Sequence, residues 1–465
     1  MAATQEFTFE EIKFDADRSF KSSPDPGVIG ANNIDLKKLT AEVNLFEDIN
    51  KGYVTAQLVI VDDAAIFTKV IELQGTERIT MKISGAEDNE DQIIELQMRV
   101  VSILQQTKVN DRASVFTINA IQDHGYRDSL SKVSKSYTGQ LEDTSEKILK
   151  SYLNIDVDRD EKYYPPGEKS IQGDVKVLIP YISPLESVQW LMERASGKEG
   201  SPLFAWASVW DGKSREGKIR FGALGQMMLR GVSDAKDNED RSWQYGVGTV
   251  ARLDPSAKQQ RRTIVSFEQR NRENTLDMIN QGTVGSRITN FDTYTSQSMD
   301  KHFDIKKLID KLSEDVPDAS GMFSTIYDEE NLVEVEGERK PAGEHDARHR
   351  NLITSYGTYG WQQGYHDVFD PSLLINKLRK SSVLSMLNKN ILDVTVTGYN
   401  VMGEELGVGD IVKLLFNTQM VDETGMDGNL KDERTSGYYL ILKTRHIFTD
   451  NTHRVVMSCA KVLDT

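Results

Sequence analysis

Four stretches between Leu36 and Ile121 alternate apolar and polar residues with a period of two, and that period constrains the fold more than anything else in the chain. Leu39, Ala41, Val43 and Leu45 share one face against Thr40, Glu42 and Asn44. Val54, Ala56, Leu58 and Ile60 oppose Tyr53, Thr55 and Gln57; Ile79, Met81 and Ile83 oppose Arg78, Thr80 and Lys82. Ile94, Leu96, Met98 and Val100 oppose Glu95, Gln97 and Arg99, and a fifth stretch, Val115 to Ile121, is more mixed. Successive side chains of a strand point to opposite faces, so each stretch reads as a β-strand with one dry and one wet face. The same period returns from Ile391 to Val462. There Leu392, Val394 and Val396 oppose Asp393, Thr395 and Thr397, and a Gly407-Val408-Gly409-Asp410 turn leads into the strand Ile411 to Phe416. After a polar loop, Thr418 to Ser436, a hairpin around Asp450-Asn451 joins Tyr438–Phe448 to His453–Val462. An antiparallel sheet with one wet face can close into a small barrel that packs its own core. Each end of the chain therefore predicts one such barrel, whose outer polar face is free to line something else.

Between the ends the pattern turns α/β. Helical spacing begins at Tyr126, Leu130 and Val133, which places a domain boundary near residue 125. Asp143 and Glu146 fit a capping box ahead of Ile148, Leu149 and Leu153. Ser183, Pro184 and Glu186 form a stronger helix start, followed by Val188, Leu191 and Met192. Two strands, Leu203–Trp210 and Lys218–Phe221, flank the turn Asp211 to Ser214, and a short helix Ala223–Leu229 runs into a charged linker at 233–241. In the first end segment, Phe7–Phe14 reads as a strand, 15–35 as a loop or arm, Gly85–Asp91 as a polar hairpin connection, and Asp62–Ile71 as a short helix capped by Asp62 or Asp63. Residues 297–390 are mixed. They hold a helix at Lys306–Leu312, a charged loop at Asp328–His345 and an amphipathic helix at Pro371–Leu387 capped by Asp370. Tyr356, Tyr359, Trp361, Tyr365 and Phe369, laced with glycines, form either a partner-binding patch or a small core of their own.

Composition excludes several classes. The 465 residues predict about three domains. No stretch approaches the run of about 18 apolar residues of a membrane span, and the N-terminus lacks a secretory pattern. Cys459 is the sole cysteine, so no internal disulfide or multi-cysteine metal site exists; it reads as a small buried hydrophobe. A net charge of −16 argues against a general nucleic-acid binder. It suits either a wall that repels passing phosphate or mere solubility. The basic run 258–262 lacks interleaved aromatics and reads as a hairpin end leading into the strand Thr263–Phe267. Asp156, Asp158 and Asp160 mimic a calcium loop, but Glu161 and Gly167 stand where glycine and glutamate are required. His345 and His349 are four apart but lack a nearby third ligand and sit in loop-like sequence. No nucleophile elbow, phosphate loop or zinc-protease motif occurs, and with 72 acidic residues chance carboxylate pairs such as Asp315 and Asp318 are expected. No catalytic, cofactor-binding or metal residue is assigned, and no cofactor is expected.

The block from Ile182 to Phe221, with its Pro-Leu-Glu helix start, Gly-Ser-Pro lead-in and strand pair around Asp-Gly, resembles the central hub protein of contractile-tail phage baseplates. Asn271 to Thr295 resembles a hub segment in which a short helix passes through a glycine into a strand, and the order barrel, spacer, barrel agrees along nearly the whole chain. The resemblance implies an α+β, mostly β fold. Two similar antiparallel β-barrel (tube) domains, 1–125 and 241–296 with 391–465, would be joined by an α/β spacer at 126–240, with a partly helical insertion at 297–390. It further implies a non-enzymatic homotrimer in the virion tail baseplate, made in the host cytoplasm. Six barrels in a ring would meet a six-fold tail tube protein and a three-fold spike protein. Other baseplate proteins and a tape-measure protein are further expected partners, and DNA would pass without specific binding. Related barrels occur in the type VI secretion spike. The alternatives are a tail-associated cell-wall hydrolase, or a hub-like component of a contractile injection or secretion system.

Overall fold

A computed structural model describes residues 7–15, 34–63, 66–67, 75, 77–85, 93–109, 113–165, 174–197, 200–210, 217–245, 262–271, 275–281, 285–293, 296–304, 332–341, 345, 348–354, 371–398, 401–402, 406–417, 432 and 434–463. The chain is α+β and mostly β, as the alternation predicts, and its described residues form one 13-stranded sheet plus smaller ones. The main sheet takes strands from both ends of the chain. From the first end come β1 (Phe7–Asp15), β2 (Ile34–Asp35), β3 (Thr40–Asp48), β4 (Thr55–Asp62), β5 (Arg78–Gly85), β6 (Ile93–Lys108) and β7 (Ser114–Gln122). From the second come β8 (Ser242–Gln244), β9 (Ile264–Asn271), β10 (Asn390–Thr397), β11 (Ile411–Leu415), β12 (Gly437–Thr449) and β13 (Thr452–Leu463). Their order across the sheet is β9-β10-β13-β12-β3-β4-β7-β6-β5-β1-β2, with β11 on β12 and β8 on β11.

This order contains a repeat. In chain order the second end supplies β9, β10, β12 and β13, and the sheet arranges them first, second, fourth, third. The first end supplies β3, β4, β6 and β7 in the same arrangement. Of the strands left over, β5 and β11 each pair antiparallel with the first half of the third: Ile93–Arg99 in β6, Gly437–Leu440 in β12. Two copies of one connectivity thus stand head to tail, joined where Lys443–Thr449 of β12 pairs antiparallel with Glu42–Asp48 of β3.

The dry face of this sheet is a single core running through both ends, from Phe7, Val43, Leu58, Met81 and Phe116 to Val394, Met457 and Cys459. Burial lifts the Cys459 thiol far above its ordinary pKa, so it behaves as an inert hydrophobe. Of the short helix expected at Asp62–Ile71, residues 62, 63, 66 and 67 are described, and 66–67 are helical. Asp62 accepts from the N–H groups of Ile66 and Phe67 at 2.8 and 2.9 Å, which seats Phe67 between Phe14 and Phe116. Val401 and Met402 enter the core from the matching connection of the second half.

One strand departs from simple alternation. A bulge between Thr40 and Glu42 turns Thr40 inward and exposes Ala41, so of the expected dry quartet Ala41 leaves that face, while Val43 and Leu45 are buried and Leu39 packs half-buried against the same core.

After α1 (Asp123–Leu130), the middle of the chain builds a second core from α2 (Leu141–Ile148), α3 (Pro184–Met192) and the strands 203–207 and 218–223. Ser183 caps α3 from its side chain with Pro184 in the first turn, as expected. The capping box expected at Asp143 does not form. The helix begins at Leu141 behind Gln140, and Asp143 and Glu146 both bind Arg159 instead, at 2.9 and 2.8 Å. The charged linker expected at 233–241 is helical. α4 runs Leu224–Asp237 because Val232 and Ala235 extend its buried face, and a 3-10 turn follows at Glu239–Arg241. The expected charged loop Asp328–His345 contains a hairpin, Leu332–Val335 with Glu338–Pro341, turned by Glu336 and Gly337 at positive φ. The aromatic cluster 356–369 and the helix expected at 306–312 lie outside the described residues.

A third cluster ties these parts together. α4 and the amphipathic α5 (Pro371–Leu387) cover the far ends of β12 and β13 through Leu440, Leu442, Ala460 and Val462. Lys380 of α5 is 4% exposed, its amine 4.8 Å over the Phe204 ring, and burial pushes its pKa down to about 8. The unfolded chain holds that proton up to about pH 10.4, so stability rises with pH between the two values. At pH 7 the folded state carries the cost of a buried ammonium. Lys380→Met is therefore expected to raise the unfolding free energy by about 1–3 kcal/mol and to flatten the alkaline rise, read by urea denaturation at pH 7 and 10.

Candidate functional site

The wet face of the sheet is concave across the junction of the two halves. It encloses about 680 Å³ lined by β3, β4, β7, β12, β13, and by Val101 of β6 and Arg270 of β9 at the outer strands. Eight adjacent strands, four from each half, thus form one curved wall. Alternation fixes what faces the hollow: Phe46 and Asp48, Thr55 and Gln57, Asn119 and Ile121, Lys443 and Arg445, Val456 and Ser458.

Its charge does not follow that of the chain. Lys51, Arg270, Lys443 and Arg445 line it against Asp48 and Glu47, and Glu47 is buried below the floor. The wall of this hollow is not acidic, so the −16 of the whole chain resides elsewhere. Cross-strand pairs hold the junction. Lys443 meets Asp48 at 2.8 Å, and Arg445 donates to Asn44 at 3.1 Å while its guanidinium lies 5.6 Å over the Phe46 ring. Arg270 pairs with Asp393, which also accepts from Ser458 at 2.6 Å.

Beneath the floor lies a buried polar cluster that sequence reading did not single out. Glu47 follows Val43 and Leu45 on the dry face. It accepts from the Val209 N–H at 2.8 Å and from the Thr444 hydroxyl, and His446 Nε2 lies 3.6 Å away. His446 Nδ1 and His453 Nε2 are 3.2 Å apart, and His453 stacks on Phe448 at 4.2 Å. Burial alone would raise the Glu47 carboxyl; His446, Thr444 and the Val209 N–H outweigh it and hold it below the usual range. Burial, with His446 alongside, pushes His453 well below an ordinary histidine, so it stays neutral. A carboxylate at a dry-face position of an alternating strand was the signal available for Glu47.

A second buried cluster fastens the middle of the chain to the sheet. Asp410, fully buried, accepts from the Gly407 N–H at 2.9 Å, from the Tyr163 hydroxyl at 3.0 Å and from Lys162, with Arg241 3.7 Å away. Burial would raise its carboxyl, but Lys162, Arg241 and the Gly407 N–H hold it low. Gly409 is required beside it: its φ is +91°, and a Cβ there would stand 2.7 Å from Trp206.

Both carboxylates are held by buried partners, Glu47 by Val209, Thr444 and His446 and Asp410 by Gly407, Tyr163 and Lys162, and each joins segments distant in sequence. Asp156 and Asp158 pair with Lys150 and Arg220 rather than converging as calcium ligands. His349 lies in the strand Arg348–Thr354, while His345 sits beside the 332–341 hairpin with Nε2 3.1 Å from the Val333 carbonyl. Arg262, the described end of the basic run, is occupied by Glu239 and Asp240. Among the described residues no group of three or more metal-ligating side chains converges, and no helix is long and apolar enough to cross a membrane.

No family profile and no curated protein matches the chain. Its similarities are to solved structures of phage tail and type VI secretion proteins. The tail protein from Neisseria meningitidis MC58 is 10% identical, covering 98% of this chain and 97% of that one at a TM-score of 0.49. The 43 kDa tail protein of prophage MuSo2 from Shewanella oneidensis is 13% identical, covering 97% and 98% at 0.45. An E. coli type VI secretion component, described as similar to T4 bacteriophage tail proteins, is 8% identical, covering 91% and 73% at 0.39.

Proposed function

We propose that this chain is a structural hub of a contractile phage tail baseplate, a homotrimer whose curved sheets surround a channel through which DNA passes. The observation that carries the reading is the tandem repeat of one strand connectivity within a single continuous sheet. A chain with two like halves presents six similar units when three copies close a ring. It then offers six-fold symmetry to a tail tube and three-fold symmetry to a spike. The concave wet wall faces inward and the helical middle outward, towards spike and other baseplate proteins. We divide the chain accordingly into tube units at 1–125 and at 241–296 with 391–465, a spacer at 126–240 and an insertion at 297–390. The mixed charge of the hollow suits a conduit that neither excludes nor grips a polyanion, and the role is one of assembly without turnover. The test is the mass of the purified full chain by light scattering, followed by class averages in the electron microscope. A three-fold mass and rings with an open centre are expected. A monomer at all concentrations, or a closed particle without a bore, overturns the reading.

A further inference from the structure

We propose a specific joint between copies: the outer edge of β9 in one copy pairs antiparallel with Ser102–Lys108 of β6 in the next, repeating the joint that β3 and β12 already make within the chain. The proposal rests on the ring reading above and adds which edges meet and in what register.

The argument starts from the repeat. β12 and β6 are the third strands of their halves. Each gives its first half to a short strand, β11 or β5, and each then shifts register, between Ile441 and Lys443 in β12 and between Val100 and Ser102 in β6. In β12 the segment beyond the shift is taken by β3. In β6 the corresponding segment has no strand on its outer edge among the described residues, and every residue from Val101 to Lys108 is exposed.

The other partner is repeated just as closely. β3 and β9 are the first strands of their halves, and both carry a register shift near the start, between Thr40 and Glu42 and between Ile264 and Ser266. β3 has β12 on its outer side, whereas β9, past the Gln244–Thr263 bridge at its start, ends the sheet among the described residues, with Val265 51% and Phe267 39% exposed. The chain therefore shows one joint made and the two halves of the same joint left open, at opposite ends of the eight-strand wall. An open edge holding Val101, Ile103 and Leu104 and no proline is what soluble chains avoid unless something covers it. A second copy supplies the matching edge, and a head-to-tail contact of this kind closes into a ring when its rotation permits.

The register follows from the shifts. Ser102 occupies the place of Lys443, and Ser266 that of Glu42. β6 carries one more shift, between Ile103 and Gln105, which sets Leu104 aside as an extra residue. Gln105 then stands where Arg445 does, and Arg270 where Phe46 does. Since Arg445 faces Phe46, Gln105 of one copy faces Arg270 of the next, and Thr107 faces Glu268. Both pairs fall on the wet wall, so the hollow seen in one chain continues into its neighbour.

Cysteine pairing tests this directly, because Cys459 is buried and the background is clean. Full-length Thr107→Cys chains are mixed with Glu268→Cys chains, and Gln105→Cys with Arg270→Cys, then mildly oxidised and run without reductant. Within a chain these positions lie on the two end strands of the eight-strand wall, about 34 Å apart measured along it, against the roughly 4–7 Å between Cα atoms that a disulfide spans. Both double variants are run alongside. Loss of the monomer band to dimer in the mixtures, and to a closed higher species in the double variants, is expected. Gln57→Cys, inside the wall, serves as the partner that does not cross-link. If light scattering shows oligomers but neither pair cross-links, this joint is overturned and the ring reading stands. If the parent chain is monomeric throughout, both fall.

Discussion

Replacing Asp410 by alanine is expected to cost about 3–5 kcal/mol of stability, the largest loss of any single substitution outside the hydrophobic core. The carboxylate is fully buried and collects Lys162, Tyr163, Arg241 and the Gly407 N–H. Removing it strands two cations and a phenol in an apolar setting without a counter-charge, and that desolvation cost is what the measurement reads. Asp410→Asn keeps an acceptor for Gly407 and Tyr163 but not the charge, so a smaller loss is expected, and Asp410→Asn with Lys162→Met recovers part of it. Urea denaturation at pH 7 checks all three: the midpoint should fall with little change in slope. The sign with pH is fixed by the lowered carboxyl. The contribution is complete above the unfolded value near 3.9 and fades as pH drops through the folded one. An alanine variant within 1 kcal/mol of the parent would mean that the cluster is not what ties the middle of the chain to the sheet.

Much of this fold is legible in the sequence because strands with one dry face write their period directly. In Val54–Ile60, Ile79–Ile83, Ile94–Val100 and Leu392–Val396 the face that alternation marks as dry is the buried one. The α3 start at Ser183 and Pro184 was legible too, since capping is local chemistry. What failed was decided at a distance. Ala41 was placed on the dry face because a bulge leaves no mark on alternation until the partner strand is known. Asp143 looked like a cap because its spacing is right, but Arg159, sixteen residues on, recruits it. Residues 233–237 looked like a linker because their charge is high, yet Val232 and Ala235 find a core that only the folded sheet provides. In the sequence the repeat shows only as two similar barrels. Its head-to-tail joining through β3 and β12 depends on pairings some 400 residues apart, which no local pattern encodes.

Acid should open the joint between β3 and β12 before it unfolds the rest of the chain. Two groups set the direction. The buried His453 is held neutral, so below about pH 6.5 the unfolded state binds a proton that the folded state refuses, and stability falls as pH drops. Glu47 is held ionised, so its contribution is lost as pH falls further, through its lowered folded value. Each full proton of difference is worth about 1.4 kcal/mol per pH unit, which makes roughly 2 kcal/mol from His453 alone between pH 6.5 and 5. Global denaturation would partly hide this. Glu142, buried in the first turn of α2 in the middle of the chain, is raised to about 7, and its protonation stabilises the folded state over much of the same window. The readout must therefore be local. Hydrogen exchange, corrected for the intrinsic rate at each pH, should show Lys443–Thr449 and Glu42–Asp48 losing protection between pH 7 and 5 while the middle core keeps its own. His453→Phe, which preserves the stack on Phe448 without a titrating group, should remove that loss, whereas Glu47→Gln should affect only the further loss below the unfolded glutamate value of about 4.3. Equal loss of protection in both cores, unchanged by either substitution, would show that the buried cluster does not control the joint.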